Sequence, residues 1–217
     1  MGRCSDARAR LLATATRLFH ERGYTAVSVS DICEAAGLRK GSFYHFFDSK
    51  KALVLEALDQ YAERNRERLV RVFESGGATR ERLQHWFTCM YESAKEVHAA
   101  GTPLMGCPIG NLAAEMAGRD ADITAKLESI FEEWSDGLRR MLADAKAAGE
   151  IDVTDPSATA ESLVVLVEGA ALMAKTMSDP EIIRRAGERA LSLLEPAMVA
   201  ARRGSSSLPL ESRVRRS

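Results

Sequence analysis

Val29-Ser30-Asp31-Ile32-Cys33-Glu34-Ala35-Ala36-Gly37-Leu38-Arg39-Lys40-Gly41-Ser42-Phe43-Tyr44-His45-Phe46-Phe47 is the stretch on which the fold turns. Ser28 stands just before its first apolar residue, and Asp31 follows three positions on, a near match to a capping box; a short helix to about Ala36 is predicted. Gly37 stops that helix and permits a tight turn, and a second short helix occupies roughly Lys40 to Phe46 before a break at Asp48-Ser49. Upstream, within Asp6–Arg22, Leu11, Leu12, Ala15, Leu18 and Phe19 recur at helical spacing and Gly23 closes the segment. Three helices, the second and third short and joined through Ala36-Gly37-Leu38-Arg39, form a helix-turn-helix pattern. Val29, Ile32, Ala36, Leu38 and Phe43 give it a small shared core, which would hold the third helix with its outer face free for a major groove.

Helical periodicity continues through the rest of the 217 residues. The longer segments are read as Ser49–Glu74, Arg80–Ala99, Ile109–Ala117, Ala121–Ala148, Ser157–Thr176 and Pro180–Ala201. Their breaks fall at Gly76-Gly77, Gly101-Thr102-Pro103, Gly118, Gly149 with Asp155-Pro156, and Asp179-Pro180. No alternating run is long enough for a strand, so the expected fold is all-α. It comprises an N-terminal helix-turn-helix domain over residues 1–50, a larger helical domain over 51–203, and a disordered Ser/Arg-rich tail over 204–217.

The composition, 46% apolar and 28% charged, is that of a globular chain. The longest uncharged stretch, Val97–Ala114, carries His98, Thr102, Asn111, two prolines and three glycines, which argues against a membrane span, and no secretory signal is visible. Four scattered cysteines with no C-x-x-C pair argue against a disulfide framework or a zinc site and for the cytoplasm; no metal or cofactor is expected. The net charge of −1 divides into +3 for residues 1–50, −8 for 51–201 and +4 for 202–217, so the head is the part suited to a polyanion.

The sequence resembles the TetR/AcrR family of transcriptional repressors. The resemblance covers about residues 5–55 and rests on Leu18-Phe19, Gly23-Tyr24-Thr25, Val29, Asp31-Ile32, Ala35-Ala36-Gly37, Lys40-Gly41-Ser42-Phe43-Tyr44, Phe46-Phe47, Lys50 and Leu53. Arg39 departs from it, standing where the family usually has a Ser or Thr cap. With this docking type, Lys40, Gly41 and Ser42 fall at the end of the recognition helix that meets base edges. Glycine allows close approach, and Ser42 and Lys40 can donate to bases or phosphates. Tyr44 and His45 suit phosphates, Lys50 adds positive charge, and Arg39, Val29 and Ser30 complete the expected DNA-binding set.

The resemblance implies that residues 51–203 are an effector-binding and dimerisation domain, and that the protein is a homodimer on a palindromic double-stranded operator, the last two long helices pairing with their copies in the second chain. Leu163, Val164, Leu166, Val167, Ala170 and Ala171, then Ala190, Leu191, Leu193, Leu194 and Met198, cover more than one helix face, compatible with that pairing or with an ordinary core. Trp86, Phe87, Met90, Tyr91, Met105, Phe131 and Trp134 are large side chains that would line an effector cavity or serve as core. Cys107 lies in Met105-Gly106-Cys107-Pro108-Ile109-Gly110-Asn111-Leu112 at a helix start, where the dipole favours a thiolate. Together with Leu112 and Glu115 this segment resembles a branch of the family that responds to electrophiles and oxidants, in which a lysine, here Lys175, approaches the cysteine. The expected function is therefore a DNA-binding repressor, not an enzyme, released by a small molecule or by modification of Cys107. An activator or architectural protein using the same module is the alternative. A cysteine-dependent all-α enzyme would leave the motif over residues 5–55 unexplained.

Overall fold

The computed structural model describes residues 2–73 and 76–194, and among them every regular element is a helix. In chain order these are α1 (Gly2–Arg22), α2 (Val29–Ala35), α3 (Lys40–Phe46), α4 (Lys50–Phe73), α5 (Thr79–Ala99), α6 (Pro108–Met116), α7 (Ala121–Ala147), α8 (Pro156–Met177) and α9 (Glu181–Ser192). The outer part of the expected last helix, Met198 included, and the tail from 204 lie outside the described residues.

The first three helices close on one another because their apolar stripes meet. Leu11, Leu12, Ala15 and Leu18 of α1, Ile32 of α2, Phe43 of α3 and the following Phe47 are all buried in one cluster. Leu53 and Ala57 of α4 belong to the same cluster, so α4 begins inside the reader. Its next stripe, Val54, Leu58 and Ala62, faces a second cluster with Ile109, Leu112 and Met116 of α6 and Ile123, Leu127 and Ile130 of α7. At about 1.5 Å per residue the 24 residues of α4 extend roughly 36 Å, long enough to be shared by both units. Arg8 of α1 pairs with Glu56 of α4, and Lys51 bonds Asp120 and Asp122 at the start of α7 (3.4 and 2.5 Å).

The third cluster is the centre of the body. Leu83 and Phe87 of α5, Leu138 and Leu142 of α7, Leu163 and Ala170 of α8, and Ala186 and Ala190 of α9 are buried there. Helix α8 is long and apolar enough, by length and composition, to cross a membrane. Here it packs in the body against α7 and α9, which accounts for one side of its apolar character. Several of the residues expected at a dimer contact are therefore internal: Leu163, Ala170, Ala190 and Leu194 are buried and Val164, Leu166, Val167 and Leu191 pack on them. The apolar side chains α8 leaves outward are others, Val165, Leu172, Met173 and Met177.

Candidate functional site

The reader presents α3 outward because its partners are fixed from behind. Ser28 caps α2, its hydroxyl accepting from Asp31 N–H (3.2 Å) while Asp31 Oδ2 accepts from Ser28 N–H (2.7 Å), the reciprocal capping box. Gly37 takes φ +63° between α2 and α3, a left-handed conformation that a side chain makes costly. Phe43 is fully buried, anchoring α3 from its inner side. Arg39 occupies the cap position of α3 without a side-chain cap bond and is exposed.

With Phe43 inward, Lys40, Gly41, Tyr44 and His45 are exposed and Ser42 is half-buried beside them. Tyr44 is 58% exposed, high for a large aromatic side chain. A Cβ on Gly41 would meet no protein atom within 4 Å, so no packing inside the chain requires glycine there. Val29 and Ser30, at the start of α2, are half-buried.

Lys50 is placed differently from the sequence expectation. Its ammonium donates to the carbonyls of Tyr24 and Val27, both at 2.9 Å, and lies 4.1 Å from the centre of the Tyr24 ring. Burial pulls its pKa below the ordinary lysine value. This charge fastens the α1–α2 loop to α4.

The same loop is gripped from the body. The Glu115 carboxylate of α6 accepts the N–H groups of Tyr24 (2.7 Å) and Thr25 (2.6 Å). Burial alone would raise the Glu115 pKa; the bonds from Thr25 and Tyr24 and the nearby Lys50 outweigh it and lower the value. At the other end of α6, the carbonyl of Gly106 is hydrogen-bonded with His20 Nε2 of α1 (3.0 Å). Helix α6 therefore touches the reader at both of its ends.

Cys107, half-buried at the cap of α6, packs in one cluster with Tyr61 of α4, and the Glu168 carboxylate of α8 lies beside the same first turn at Gly110. Burial first, then the Glu168 carboxylate, push the thiol up to about 12, although the amides of Gly110 and Ile109 act the other way. The helix dipole thus does not win, and the thiolate expected from the helix start is not the resting form. Burial also raises the Glu168 and Tyr61 values. Lys175 is exposed; its ammonium donates to Asn111 Oδ1 (3.2 Å), and Asn111 in turn donates to the Met105 carbonyl (2.7 Å).

The residues expected to line an effector cavity are distributed over three places. Phe131 and Trp134 pack edge to face (5.4 Å between centroids) in the cluster that holds Cys107 and Tyr61. Trp86 meets Phe73 edge to face and Phe87 at a tilt in the large core, where Met90 also packs. Phe87 and Tyr91 border a cleft of about 270 Å³ between α5 and α9, where the Tyr91 hydroxyl donates to Glu181 (2.5 Å). Sequence reasoning missed Tyr61 as a site residue, and nothing in its spacing distinguishes it from core. Glu168 did carry a signal, as the one charge between Glu161 and Lys175 in an apolar helix.

An outward-facing short third helix on a three-helix reader, carried by a helical body that grips it, defines a helix-turn-helix DNA-binding regulator. Residues 11–57 match the model for bacterial regulatory proteins of the tetR family, and residues 79–190 that for the tetracyclin repressor-like C-terminal domain. The chain is 33% identical over 162 residues to the transcriptional regulator AcuR of Cereibacter sphaeroides, covering 74% of this chain and 73% of AcuR. It is 30% identical over 176 residues to the transcriptional repressor NemR of Escherichia coli K12, covering 78% and 84%. The crystal structure of reduced E. coli NemR superposes with a TM-score of 0.77 at 25% identity, over 87% of this chain and 97% of that one. The chain belongs to the TetR family of DNA-binding transcriptional regulators.

Proposed function

We propose that the chain is a cytoplasmic homodimeric repressor without enzymatic activity. It binds a palindromic double-stranded operator through α3 and lets go when a small molecule enters the body or Cys107 is modified. The observation that carries this reading is the double grip of α6. Cys107 adjoins Gly106, whose carbonyl meets His20, and Glu115 on the same helix holds the α1–α2 loop. A change at the thiol is therefore mechanically connected to the orientation of α3. Several relatives, NemR and DhaR among them, are named repressors.

The exposed face of α3 suits the DNA. Lys40 and Ser42 reach bases, Gly41 leaves room for close approach, and Arg39, Tyr44 and His45 meet phosphates or base edges. Dimerisation is supported by Val165, Leu172, Met173 and Met177, exposed along α8 on the side away from its own core, with Gly169 among them allowing close contact. A second copy related by a two-fold axis would cover that stripe and set two α3 helices about one DNA turn apart.

The test is fluorescence anisotropy of the reduced protein on labelled duplex from its own upstream region, titrated with salt, beside a sample treated with N-ethylmaleimide. Tight, salt-sensitive binding that is lost on treatment, and kept by Cys107→Ser under the same treatment, is the expected result. Release that persists in Cys107→Ser rules out the thiol and leaves a reversible ligand. No binding to upstream DNA or to duplexes selected from a random pool overturns the repressor reading.

A further inference from the structure

Cys107 is not an isolated thiol. Glu168 and Lys175 approach its segment from α8, Tyr61 from α4, and His20 from α1 through the Gly106 carbonyl; the α7 side contributes the uncharged Phe131 and Trp134. The Glu168 carboxylate lies directly on the first turn of α6. A Cβ on Gly110 would overlap Glu168 Oε2 and would sit 3.7 Å from Cys107 Cβ, so glycine at 110 is what admits the carboxylate beside the sulfur. Glu168 Oε1 is buried without a hydrogen-bond partner, an arrangement that costs stability and calls for a reason. Lys175 does not neutralise it: that ammonium is exposed and bonded to Asn111.

We propose that Glu168 sets both the rate and the selectivity of Cys107: its carboxylate, seated beside the sulfur on the first turn of α6, slows the thiol's attack and repels anions, so the site takes small uncharged electrophiles in preference to anionic ones. The physical reason is that the negative charge opposes two things, formation of a thiolate beside it and approach of a second anion to the half-buried sulfur. A slow, neutral-selective thiol is protected from indiscriminate reaction while remaining able to trap a reagent that fits. This deepens the Cys107 branch of the proposed function and rests on it for biological meaning, though the chemistry can be measured separately.

The probes are iodoacetamide and iodoacetate, alike in size and reaction but different in charge. In both, the sulfur bonds to the methylene carbon, iodide leaves, and the thiol proton passes to solvent. Cys107 modification of the full chain is followed by peptide mass spectrometry between pH 6 and 10 for wild type, Glu168→Gln and Glu168→Asp. Glu168→Gln is expected to speed iodoacetamide at pH 8 about tenfold, the effect of roughly one pKa unit, and to move the rise of the pH profile downwards. It should speed iodoacetate more, narrowing the preference for the uncharged reagent, while Glu168→Asp keeps the wild-type pattern.

Buried Cys33 is the internal control for loosening of the fold. A Glu168→Gln protein in which Cys33 also becomes reactive, in which both reagents accelerate equally, or in which Cys107 reacts no faster, overturns the proposal. So does a Cys107 inert in wild type and variant alike. DNA binding measured on the same samples separates the two readings. Alkylation governed by Glu168 but without release from DNA removes Cys107 as the sensor and leaves the Glu168 assignment standing.

Discussion

Replacing Glu115 by alanine removes one of the two grips through which the α6 segment holds the reader, and the structure fixes how much that should matter. The carboxylate accepts two short backbone N–H bonds, at 2.7 and 2.6 Å. Hydrogen bonds to a charged group are worth about 1.5–3 kcal/mol each when buried, but Thr25 is exposed and Glu115 only half-buried, so water takes over part of the role. A total of about 1–2 kcal/mol follows, or a fall in Tm of roughly 2–8 °C for a chain of this size. Because the Glu115 pKa in the folded chain lies below its ordinary 4.5, this stabilisation is complete above that value and is lost as pH falls through the folded value. Wild-type and Glu115→Ala melting curves should therefore converge as pH drops below 4.5. In anisotropy, the ratio of operator Kd between N-ethylmaleimide-treated and untreated protein should shrink by about 5–30-fold, the same energy expressed as coupling. A variant that melts earlier yet keeps the full wild-type ratio would show that Glu115 stabilises the fold without transmitting anything.

Three further outcomes follow from the site. Lys50→Ala should lower Tm by a few degrees, since two hydrogen bonds and a cation–π contact are worth about 1–2 kcal/mol, and should leave the salt slope of DNA binding unchanged; a slope reduced by about one would restore Lys50 as a phosphate contact. Gly41→Ala meets no protein atom and should melt no earlier than wild type, yet should weaken operator binding by about tenfold or more, the cost of about 1.4 kcal/mol or more from one displaced contact; unchanged affinity would refute close approach at this residue. Leu172→Asp, at a side chain 60% exposed in the single chain, should yield a monomer in light scattering, and a persisting dimer would move the interface elsewhere.

The helices were legible because each carries its own signals. Ser28 and Asp31 announce α2 by local hydrogen bonding, and the buried Leu11, Leu12, Ala15 and Leu18 announce α1 by spacing alone. The outer face of α3 was legible for the same reason, since a seven-residue helix anchored by Phe43 leaves few choices. The intrachain bonds of Lys50 were not legible, because a charge at a helix start looks free until the fold shows that the Tyr24 and Val27 carbonyls point at it. Dimer face and ordinary core were not separable on α8 because a helix apolar on nearly all sides does not say which side its own chain covers.

Cys107 shows the same limit in its chemistry. The dipole argument uses only α6, and on α6 alone it is sound, as the opposing pull of the Gly110 and Ile109 amides shows. What reverses it is burial by the surrounding helices and then the Glu168 carboxylate of α8, distant in sequence, and no local pattern reports their approach. The reversal also alters how a sensor here must work. A thiol held un-ionised beside a buried carboxylate responds to what neutralises or displaces that carboxylate as well as to what attacks sulfur. Since α6 is only nine residues, about 13 Å, and is held at Gly106 and at Glu115, it is too short to absorb a shift at one end by bending. On the proposed reading, crowding at Cys107 strains the His20 bond, the Glu115 bonds or both, each of them made between the α6 segment and the reader.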